Sequence, residues 1–238
     1  MALAELIRLR GVGFSYAAQR PVLDGVDLAL GAGERLALLG ANGSGKTTLL
    51  HLIVGLLKPR AGRIEAFGRD RSAEADFREV RRRAGLVFQD PEDQLFCPTV
   101  IEDVAFGPVN LGLRRSDALA AAAGALASLE LDGYEDRITY KLSGGEKRLV
   151  SLAAVLAMKP DALLLDEPTG NLDARARHRL IQALARREEA MLLVTHDLDM
   201  VRHLAGRAAL LAKGAILADR PVEEMLADTA LLAQHGLR

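Results

Sequence analysis

The chain has 238 residues, of which 50% are hydrophobic, and its 31 basic residues nearly balance its 32 acidic residues, for a net charge of −1. This balance argues against a surface devoted to nucleic acid or anionic lipid, because either partner would require a basic excess on one face. No charge-free stretch reaches the ~20 residues of a membrane-spanning helix, and the single cysteine, Cys97, excludes an intramolecular disulfide.

Apolar runs alternate with amphipathic segments along much of the chain, a pattern typical of a mostly parallel sheet with helices on its faces. Arg35–Leu39 predicts a buried strand that runs into a glycine-rich loop. Lys46–Leu57 predicts a helix with a broad apolar face, which Pro59 is expected to end. Further strands and helices of this core are predicted at Leu86–Phe88, Ala162–Asp166, Ala174–Glu189, Met191–Thr195 and Asp197–Ala205.

Short strands near both ends of the chain depart from this alternation. Leu6–Leu9, Val26–Leu30 and Arg63–Phe67 are predicted to form a small antiparallel layer beside the parallel core. Near the C-terminus, Ala208–Leu211 and Ala215–Ala218 are predicted to pair as a hairpin. The sequence therefore predicts two sheets of different character.

The region between Gln89 and Pro160 lacks strand signals, and helical patterns dominate it. Helices are predicted at Thr99–Phe106, Ser116–Leu129 and Glu146–Met158. We interpret this region as a mainly helical insertion between two strands of the core.

The glycine-rich loop at residues 40–48 matches the pattern G-x-x-x-x-G-K-[ST], placed between a predicted strand and a predicted helix. Its glycines allow backbone N–H groups to point at phosphate oxygens, and the helix N-terminus adds positive charge. Lys46 is predicted to reach the β- and γ-phosphates of a nucleotide, Thr47 to hold Mg²⁺ and Thr48 to donate to the α-phosphate. A glycine turn with an exposed lysine is the alternative. The predicted nucleotide contacts are Gly40, Asn42, Gly43, Ser44, Gly45, Lys46, Thr47 and Thr48.

Two acidic residues follow a predicted buried strand, and a histidine follows another. A carboxylate at the end of a buried strand requires a cationic partner, and Mg²⁺ is the natural partner for Asp166. Glu167 is then placed to polarise an attacking water as a general base. His196 comes just after a predicted strand, where α/β proteins place ligand-contacting groups, and we interpret it as a sensor of the γ-phosphate.

Residues 143–146, Ser-Gly-Gly-Glu, precede a predicted apolar helix and allow two interpretations. Ser143 and Glu146 fit a capping box, in which each side chain bonds the other residue's backbone N–H. Gly144 and Gly145 also leave amides open at a helix N-terminus, where phosphate binds. The two interpretations are compatible.

These motifs, in this order, together resemble those of the ATP-binding-cassette ATPases: the phosphate loop, Gln89 after a strand, Leu-Ser-Gly-Gly-Glu, Leu-Leu-Asp-Glu-Pro, residues 171–173 (Asn-Leu-Asp) and the late His196. The resemblance extends from Leu6 to about Leu226. It implies the P-loop NTPase (RecA-like) fold, with an N-terminal antiparallel layer and an inserted helical subdomain. The whole chain, 1–238, would be one ATPase domain, with residues 1–88 and 161–238 as the nucleotide-binding core and 89–160 as the helical subdomain.

The resemblance also implies how the site works. Two copies would close head to tail over two ATP molecules, so that the motif 143–146 of one copy contacts the γ-phosphate bound by Lys46 of the other. Tyr16 lies where the family stacks an aromatic ring on adenine, although a half-buried strand tyrosine is the alternative. Gln89 would join Mg²⁺ and the attacking water to the subdomain hinge, and Asp173 would report across the dimer.

A narrower resemblance is carried by residues 88–96 (Phe-Gln-Asp-Pro-Glu-Asp-Gln-Leu-Phe) and by residues 104–112. They are similar to the ATPases of cobalt- and nickel-uptake systems and of energy-coupling-factor vitamin importers. This likeness implies that Gln94, Leu95 and Phe96 contact a transmembrane coupling protein, with ordinary packing into the helical subdomain as the alternative. Asn171 stands where that subgroup more often has glycine.

We therefore expect an ATPase that drives import of a transition-metal ion, cobalt or nickel, through a separate membrane protein. The expected location is the cytoplasmic face of the cell membrane, since the N-terminus lacks a secretory signal and the chain has one cysteine. The alternatives are a vitamin importer of the energy-coupling-factor type, an exporter, a non-transport cassette or a nucleotide-regulated scaffold. The chain ends at Arg238, so no regulatory domain is expected.

Overall fold

The structure of the protein, a computed structural model, describes residues 4–17 and 21–237. Residues 1–3, 18–20 and 238 belong to the predicted single domain but lie outside the described part. In chain order the elements are β1 (Glu5–Phe14), β2 (Leu23–Gly31), β3 (Arg35–Leu39), α1 (Lys46–Ile53), β4 (Ala61–Ala66), β5 (Arg69–Arg71), α2 (Glu74–Arg83), β6 (Ala84–Val87), α3 (Val100–Asn110), α4 (Arg115–Ser128), α5 (Gly144–Leu156), β7 (Ala162–Asp166), α6 (Ala174–Ala185), β8 (Ala190–Val194), α7 (Leu198–Leu204), β9 (Arg207–Ala212), β10 (Ala215–Pro221), α8 (Val222–Ala227) and α9 (Thr229–Gln234).

The larger sheet has six strands in the order β10-β9-β3-β8-β7-β6. Its strands run parallel except for β10, which returns antiparallel to β9 as the predicted hairpin. Every residue of β7 and β8 is buried, because helices cover both faces of a parallel sheet. The carboxyl ends of β3, β6, β7 and β8 therefore meet at one edge of the sheet, and the loops that follow them lie side by side.

The smaller sheet is antiparallel, in the order β2-β1-β4-β5, and it packs beside the parallel core. In β1 and β2, Leu9 pairs with Leu28 and Val12 with Val26, so the apolar side chains of both strands share one face. That face joins the cluster that also contains Leu49 of α1 and buried side chains of the larger sheet. These two sheets confirm the predicted fold class.

Between β6 and β7 the chain is helical, and its one β-type pairing is an isolated bridge between Thr99 and Ile138. Helices α3, α4 and α5 pack on one another around Val104, Leu126 and Leu149. The same apolar cluster continues into Val87 of β6 and Leu165 of β7. The helical segment is therefore packed directly against the face of the parallel sheet, as far as the described residues go.

Two helices, α1 and α6, each end four residues earlier than predicted, and each end has a physical cause. Helix α1 ends at Ile53 because Gly55 adopts φ +72°, and a Cβ there would lie 2.2 Å from the Phe77 ring. Leu56 is consequently 50% exposed and not on a helical face. Helix α6 ends at Ala185, whose carbonyl accepts a hydrogen bond from the Arg35 guanidinium at 3.1 Å.

The sequence analysis did not identify β5 or the C-terminal helices α8 and α9. Both helices have six residues, too few to show a helical period. Their buried side chains, among them Met225 and Leu232, join the cluster on the core sheet, so packing stabilises them. None of the helices described combines the length and the apolar character that a membrane span needs.

Candidate functional site

A cavity of about 410 Å³ opens at the carboxyl edge of the parallel sheet. Residues from widely separated parts of the sequence line it, because parallel strands bring their carboxyl ends together. It is lined by Tyr16, Val22, Asn42, Gly43, Gly45, Lys46, Thr47, Thr48, Gln89, Asp166 and Glu167. All of these except Val22 were predicted from the sequence; a single valine in a loop carries no signal that could have marked it.

The loop between β3 and α1 is closely packed around Gly40 and Gly45, and the packing requires glycine at both positions. A Cβ at Gly40 would lie 2.4 Å from the carbonyl oxygen of Leu211 and 2.6 Å from Oγ of Ser44. Gly45 has φ +104°, and a Cβ there would lie 2.8 Å from Leu23. Side chains are thus excluded at Gly40 and Gly45, and at Gly45 the loop presents only its backbone to the cavity.

Lys46 is the first residue of α1 and is only 6% exposed. Its Nζ donates to the carbonyl oxygens of Gly40 at 2.7 Å and Ala41 at 3.1 Å. Burial lowers the pKa of Lys46, while the nearby carboxylates of Glu167 and Asp166 raise it. The ammonium group is therefore held over the loop by two carbonyls, which phosphate oxygens can replace at little cost.

Asp166 ends β7 and is 2% exposed, and its Oδ1 has no hydrogen-bond partner among the described residues. Burial raises the pKa of Asp166, and a hydrogen bond with the Thr47 side chain opposes that shift. A buried carboxylate oxygen without a partner is costly, so the site calls for a cation. Carboxylate, hydroxyl and amide oxygens of Asp166, Thr47 and Gln89 are ligands of the kind that Mg²⁺ prefers.

Within residues 4–17 and 21–237, no three His, Cys, Asp or Glu side chains form a group that could hold a metal by themselves. That is consistent with Mg²⁺, which is usually held by one or two carboxylates together with substrate phosphates. The residues present therefore fit a magnesium–nucleotide site.

Glu167 follows β7 directly and adopts φ +43°, a conformation that is unusual for a residue with a side chain. It is 8% exposed and its backbone N–H donates to the carbonyl oxygen of Val194 in β8. Nδ1 of His196 lies 3.0 Å from Oε2 of Glu167. The structure thus brings Glu167 and His196 together, although 28 residues separate them in the sequence.

The Ser-Gly-Gly-Glu motif begins α5 and forms the predicted capping box. The N–H of Glu146 donates to Oγ of Ser143 at 3.3 Å, and the N–H of Ser143 donates to the Glu146 carboxylate at 2.8 Å. None of residues 143–146 lines the cavity that contains Lys46. Within one chain, therefore, the motif is not part of the phosphate site.

Glu146 has two further partners that the sequence did not indicate. Its carboxylate accepts hydrogen bonds from the Tyr134 hydroxyl at 2.7 Å and from Arg137 at 3.1 Å. The hydrogen bond from the Ser143 backbone, followed by that from Tyr134, lowers the pKa of Glu146. The carboxylate is therefore held ionised and fixed at the start of α5.

Tyr16 lies at the mouth of the cavity and is 46% exposed. Its ring packs edge-on against Phe14, with centroids 4.9 Å apart, and its hydroxyl lies 3.2 Å from Oγ1 of Thr48. The ring is thus anchored at its edge while much of its surface stays open. The geometry accommodates adenine stacking.

The three residues predicted to contact a membrane protein differ from one another. Leu95 is 6% exposed and packs in the core, so its prediction as a surface contact is wrong and ordinary packing is the correct reading. Gln94 donates from Nε2 to the carbonyl oxygen of Ser151 at 2.7 Å, which holds the loop on α5. Phe96 is 64% exposed and stacks edge-on against Phe106, itself 45% exposed.

Asp173, at the start of α6, and Arg148 of α5 make hydrogen bonds near the site. Asp173 caps α6 by accepting a hydrogen bond from the N–H of Ala176 at 2.7 Å. Arg148, on α5, is buried beside Gln89 and was not singled out from the sequence. Its position as a charged residue on the apolar face of a predicted helix could have indicated that it is buried.

Comparison with known proteins agrees with this geometry. The family model described as ABC transporter matches residues 23–170. The cobalt import ATP-binding protein CbiO of Rhodobacter capsulatus is 43% identical over 99% of this chain and 86% of its own length. The energy-coupling factor transporter ATP-binding protein EcfA of Methanothermobacter thermautotrophicus is 39% identical over 98% of this chain and 76% of its own length.

Solved structures show the same fold. CbiO1 from Clostridium perfringens, part of an ABC transporter complex, superposes with a TM-score of 0.85 at 30% identity, covering 99% of this chain and 96% of its own. A dimeric ATP-binding cassette in a post-hydrolysis state, bound to ADP and phosphate, superposes with a TM-score of 0.83 at 25% identity, covering 91% of this chain and 99% of its own.

Proposed function

The chain belongs to the ATP-hydrolysing subunits of ABC transporters, related to the CbiO and EcfA importer subunits, and from that premise we propose that it powers import of a transition-metal ion, cobalt or nickel. The observation that carries the catalytic part of this proposal is the grouping of Lys46, Thr47, Asp166 and Glu167 around one cavity. Their side chains supply the charge, the hydroxyl and the base that phosphoryl transfer to water requires.

In the proposed reaction Lys46 and the loop amides bind the β- and γ-phosphates of ATP and offset their charge. Mg²⁺ held by Thr47, Asp166 and Gln89 would add further charge compensation on these phosphates. Glu167 accepts a proton from the attacking water, and His196 orients Glu167 and the water toward the γ-phosphorus. The γ-phosphoryl group passes to the water, which leaves ADP and phosphate.

A second copy of the chain completes the site in this proposal. The motif 143–146 lies outside its own chain's cavity, while its open amides and the positive end of α5 suit a phosphate. In a head-to-tail dimer the motif of each copy meets the nucleotide of the other, and Asp173 lies near the same interface. The dimeric cassette that superposes on this chain supports such an arrangement.

We assign cobalt or nickel, rather than a vitamin, as the transported substrate on two grounds. The cobalt import subunit CbiO resembles the chain along nearly its whole length. Every catalytic motif is present in this one sequence, so two copies of the chain can form two working sites. A vitamin importer of the energy-coupling-factor type is the second candidate, and the similarity to EcfA favours it.

The proposed surface for the membrane partner contains the exposed pair Phe96 and Phe106, whose ring centroids lie 4.8 Å apart. Two exposed aromatic rings on a helical segment form a typical protein contact, since such rings bury a large apolar area. Gln94, two residues before Phe96, stabilises this part of the chain by its hydrogen bond to α5. Binding there would place the chain at the cytoplasmic face of the membrane.

The experiment that tests this function is a tagged pull-down from detergent-solubilised native membranes, with a Phe96→Ser variant as control and mass spectrometry of all bound proteins. The proposal expects one ATPase species together with a small coupling protein and a membrane protein that carries a metal site, and loss of both partners with the variant. A second, different cassette in the complex would favour the vitamin importer. Absence of every membrane protein would contradict the transport role.

A further inference from the structure

Arg148 is a buried cation on α5, only 5% exposed, and among the described residues no carboxylate forms an ion pair with it. Its guanidinium bonds backbone carbonyls instead. Nη1 donates to the carbonyl oxygen of Phe88 at 3.0 Å and to that of Gln89, and Nη2 donates to that of Gly170 at 3.4 Å. A buried charge that is satisfied mainly by carbonyls is costly and indicates a specific task.

The three carbonyls belong to two different segments of the catalytic site. Gln89 lines the cavity directly after β6. Gly170 closes the turn after β7, where its N–H donates to the carbonyl oxygen of Glu167 at 3.0 Å. One guanidinium therefore bonds two segments: the one that contains Gln89, the predicted magnesium ligand, and the turn that follows Glu167, the predicted base.

The same segment is also held from its other side. The N–H of Phe88 donates to Oε1 of Gln94 at 3.4 Å, and Nε2 of Gln94 donates to the carbonyl of Ser151 on α5 at 2.7 Å. Both polar groups of the Phe88 backbone are thus bonded to side chains that belong to α5 or bind it. A shift of α5 would move this segment with it.

The positive charge of Arg148 also interacts with carboxylates near the site. Burial lowers the pKa of Arg148, while the nearby carboxylates of Asp90, Asp166 and Glu167 raise it. A guanidinium nevertheless stays protonated in proteins. Its positive charge thus stabilises the carboxylates on which the proposed reaction depends.

We propose that Arg148 is a positioning residue, which makes the placement of Gln89 and Glu167 depend on α5, the helix whose first turn meets the other copy's nucleotide. The inference rests on the proposed head-to-tail dimer and extends it. In the proposed dimer the motif at the start of α5 contacts the nucleotide of the other copy. Arg148, a little more than one helical turn further along α5, holds the site of its own copy. The two sites would then assume their reactive geometry together.

The test uses Arg148→Met, which keeps an unbranched apolar stem like that of arginine and removes its donors and charge. We expect turnover to fall at least about 10-fold, while the Kd and the stoichiometry of ATP binding stay within about twofold of the wild type. Arg179→Met is the matched control: Arg179 also donates to backbone carbonyls, of Leu129 and Glu130, but away from the cavity. Its turnover should stay within about twofold of the wild type.

Arg148→Lys tests the same point with less risk to folding. Lysine keeps the charge but lacks the planar fork that reaches both segments, so turnover should lie between those of the wild type and Arg148→Met. Wild-type turnover in Arg148→Lys and Arg148→Met would overturn the proposal. A loss of turnover that is fully explained by a smaller fraction of chains able to bind ATP would also overturn it. An inactive wild-type protein would instead contradict the proposed function itself.

Discussion

His196 places Nδ1 3.0 Å from Oε2 of Glu167, and its backbone N–H donates to the same oxygen at 3.4 Å. The two side chains differ in burial, since that of Glu167 is 10% exposed and that of His196 is 65% exposed. The Glu167 carboxylate is therefore held at the cavity wall by His196, whose own side chain is largely exposed to solvent. A general base must be held in place, while its orienting group must meet the incoming substrate.

The role of Glu167 predicts the behaviour of Glu167→Gln. The amide keeps the shape of the side chain but cannot accept the proton of water, so turnover should fall at least ~100-fold while ATP still binds. Trapped ATP should then hold two chains together, as an ATP-dependent dimer in size-exclusion chromatography. Glu188→Gln, at an exposed acidic residue, is the control. Substantial residual turnover in Glu167→Gln would remove Glu167 as the base.

The unpartnered Oδ1 of Asp166 predicts a specific defect in Asp166→Asn. An amide is a poorer ligand for Mg²⁺ than a carboxylate, so the magnesium concentration for half-maximal turnover should rise about 10-fold or more. The measurement is ATPase activity across a magnesium titration at fixed ATP. Asp161→Asn is a suitable control, since Asp161 is a largely exposed carboxylate paired with Arg83. An unchanged titration curve for Asp166→Asn would exclude it as a magnesium ligand.

A composite site predicts complementation between two inactive variants. Lys46→Ala should lose ATP affinity, and Ser143→Arg should bind ATP but not hydrolyse it, because the arginine blocks the other copy's site. In a mixed dimer one site combines the intact Lys46 with the intact Ser143. An equimolar mixture, in which about half of the dimers are mixed, should recover up to about a quarter of wild-type turnover. No recovery, with mixed dimers shown to form, would argue against the head-to-tail arrangement.

Leu95 and Phe96 are neighbours with opposite burial, which predicts opposite effects on stability. Leu95→Ala should lower the free energy of unfolding by about 2–4 kcal/mol, because it leaves a cavity in the core. Phe96→Ser should cost less than about 1 kcal/mol, since the ring is largely exposed. Chemical denaturation of both variants measures these differences. Equal losses would mean that Phe96 is buried in the isolated protein.

Cys97 predicts a slow and strongly pH-dependent reaction with thiol reagents. Burial, followed by the charge of Asp103, raises the pKa of its thiol to about 11. Only the thiolate reacts, so at pH 8 a fraction of roughly one in a thousand is reactive, and the rate should keep rising up to about pH 11. Absorbance assays with a disulfide reagent and free glutathione as reference give the profile. A profile with its midpoint near pH 9 would show an ordinary thiol.

Strand positions in the core were predictable from the sequence because burial on both faces produces a continuous apolar run. Ala162–Asp166 and Arg35–Leu39 were placed with correct ends, and β8 was displaced by one residue. Helix ends were less predictable, because tertiary contacts decide them. The ring of Phe77 against Gly55 and the guanidinium of Arg35 at Ala185 are distant in sequence from the helices that they limit.

The sequence by itself determined which residues can bind phosphate, hold a cation or activate water, because those roles depend on local spacing and chemical type. The loop 40–48, the pair at 166–167 and the capping box of Ser143 with Glu146 are all of this kind. The grouping of the loop 40–48 with the pair at 166–167 at one edge also followed from the sequence, since parallel strands bring their carboxyl ends together.

Only the tertiary structure decided which of two neighbouring residues faces outward and which charged side chains support the site. Leu95 is inside and Phe96 outside although they are neighbours in an irregular stretch of chain, and no period in the sequence marks which of the two is buried. Arg148 bonds Phe88, Gln89 and Gly170 across 60, 59 and 22 residues of sequence. Such contacts depend on how α5 packs against the sheet, and packing is a property of the whole fold rather than of any local pattern.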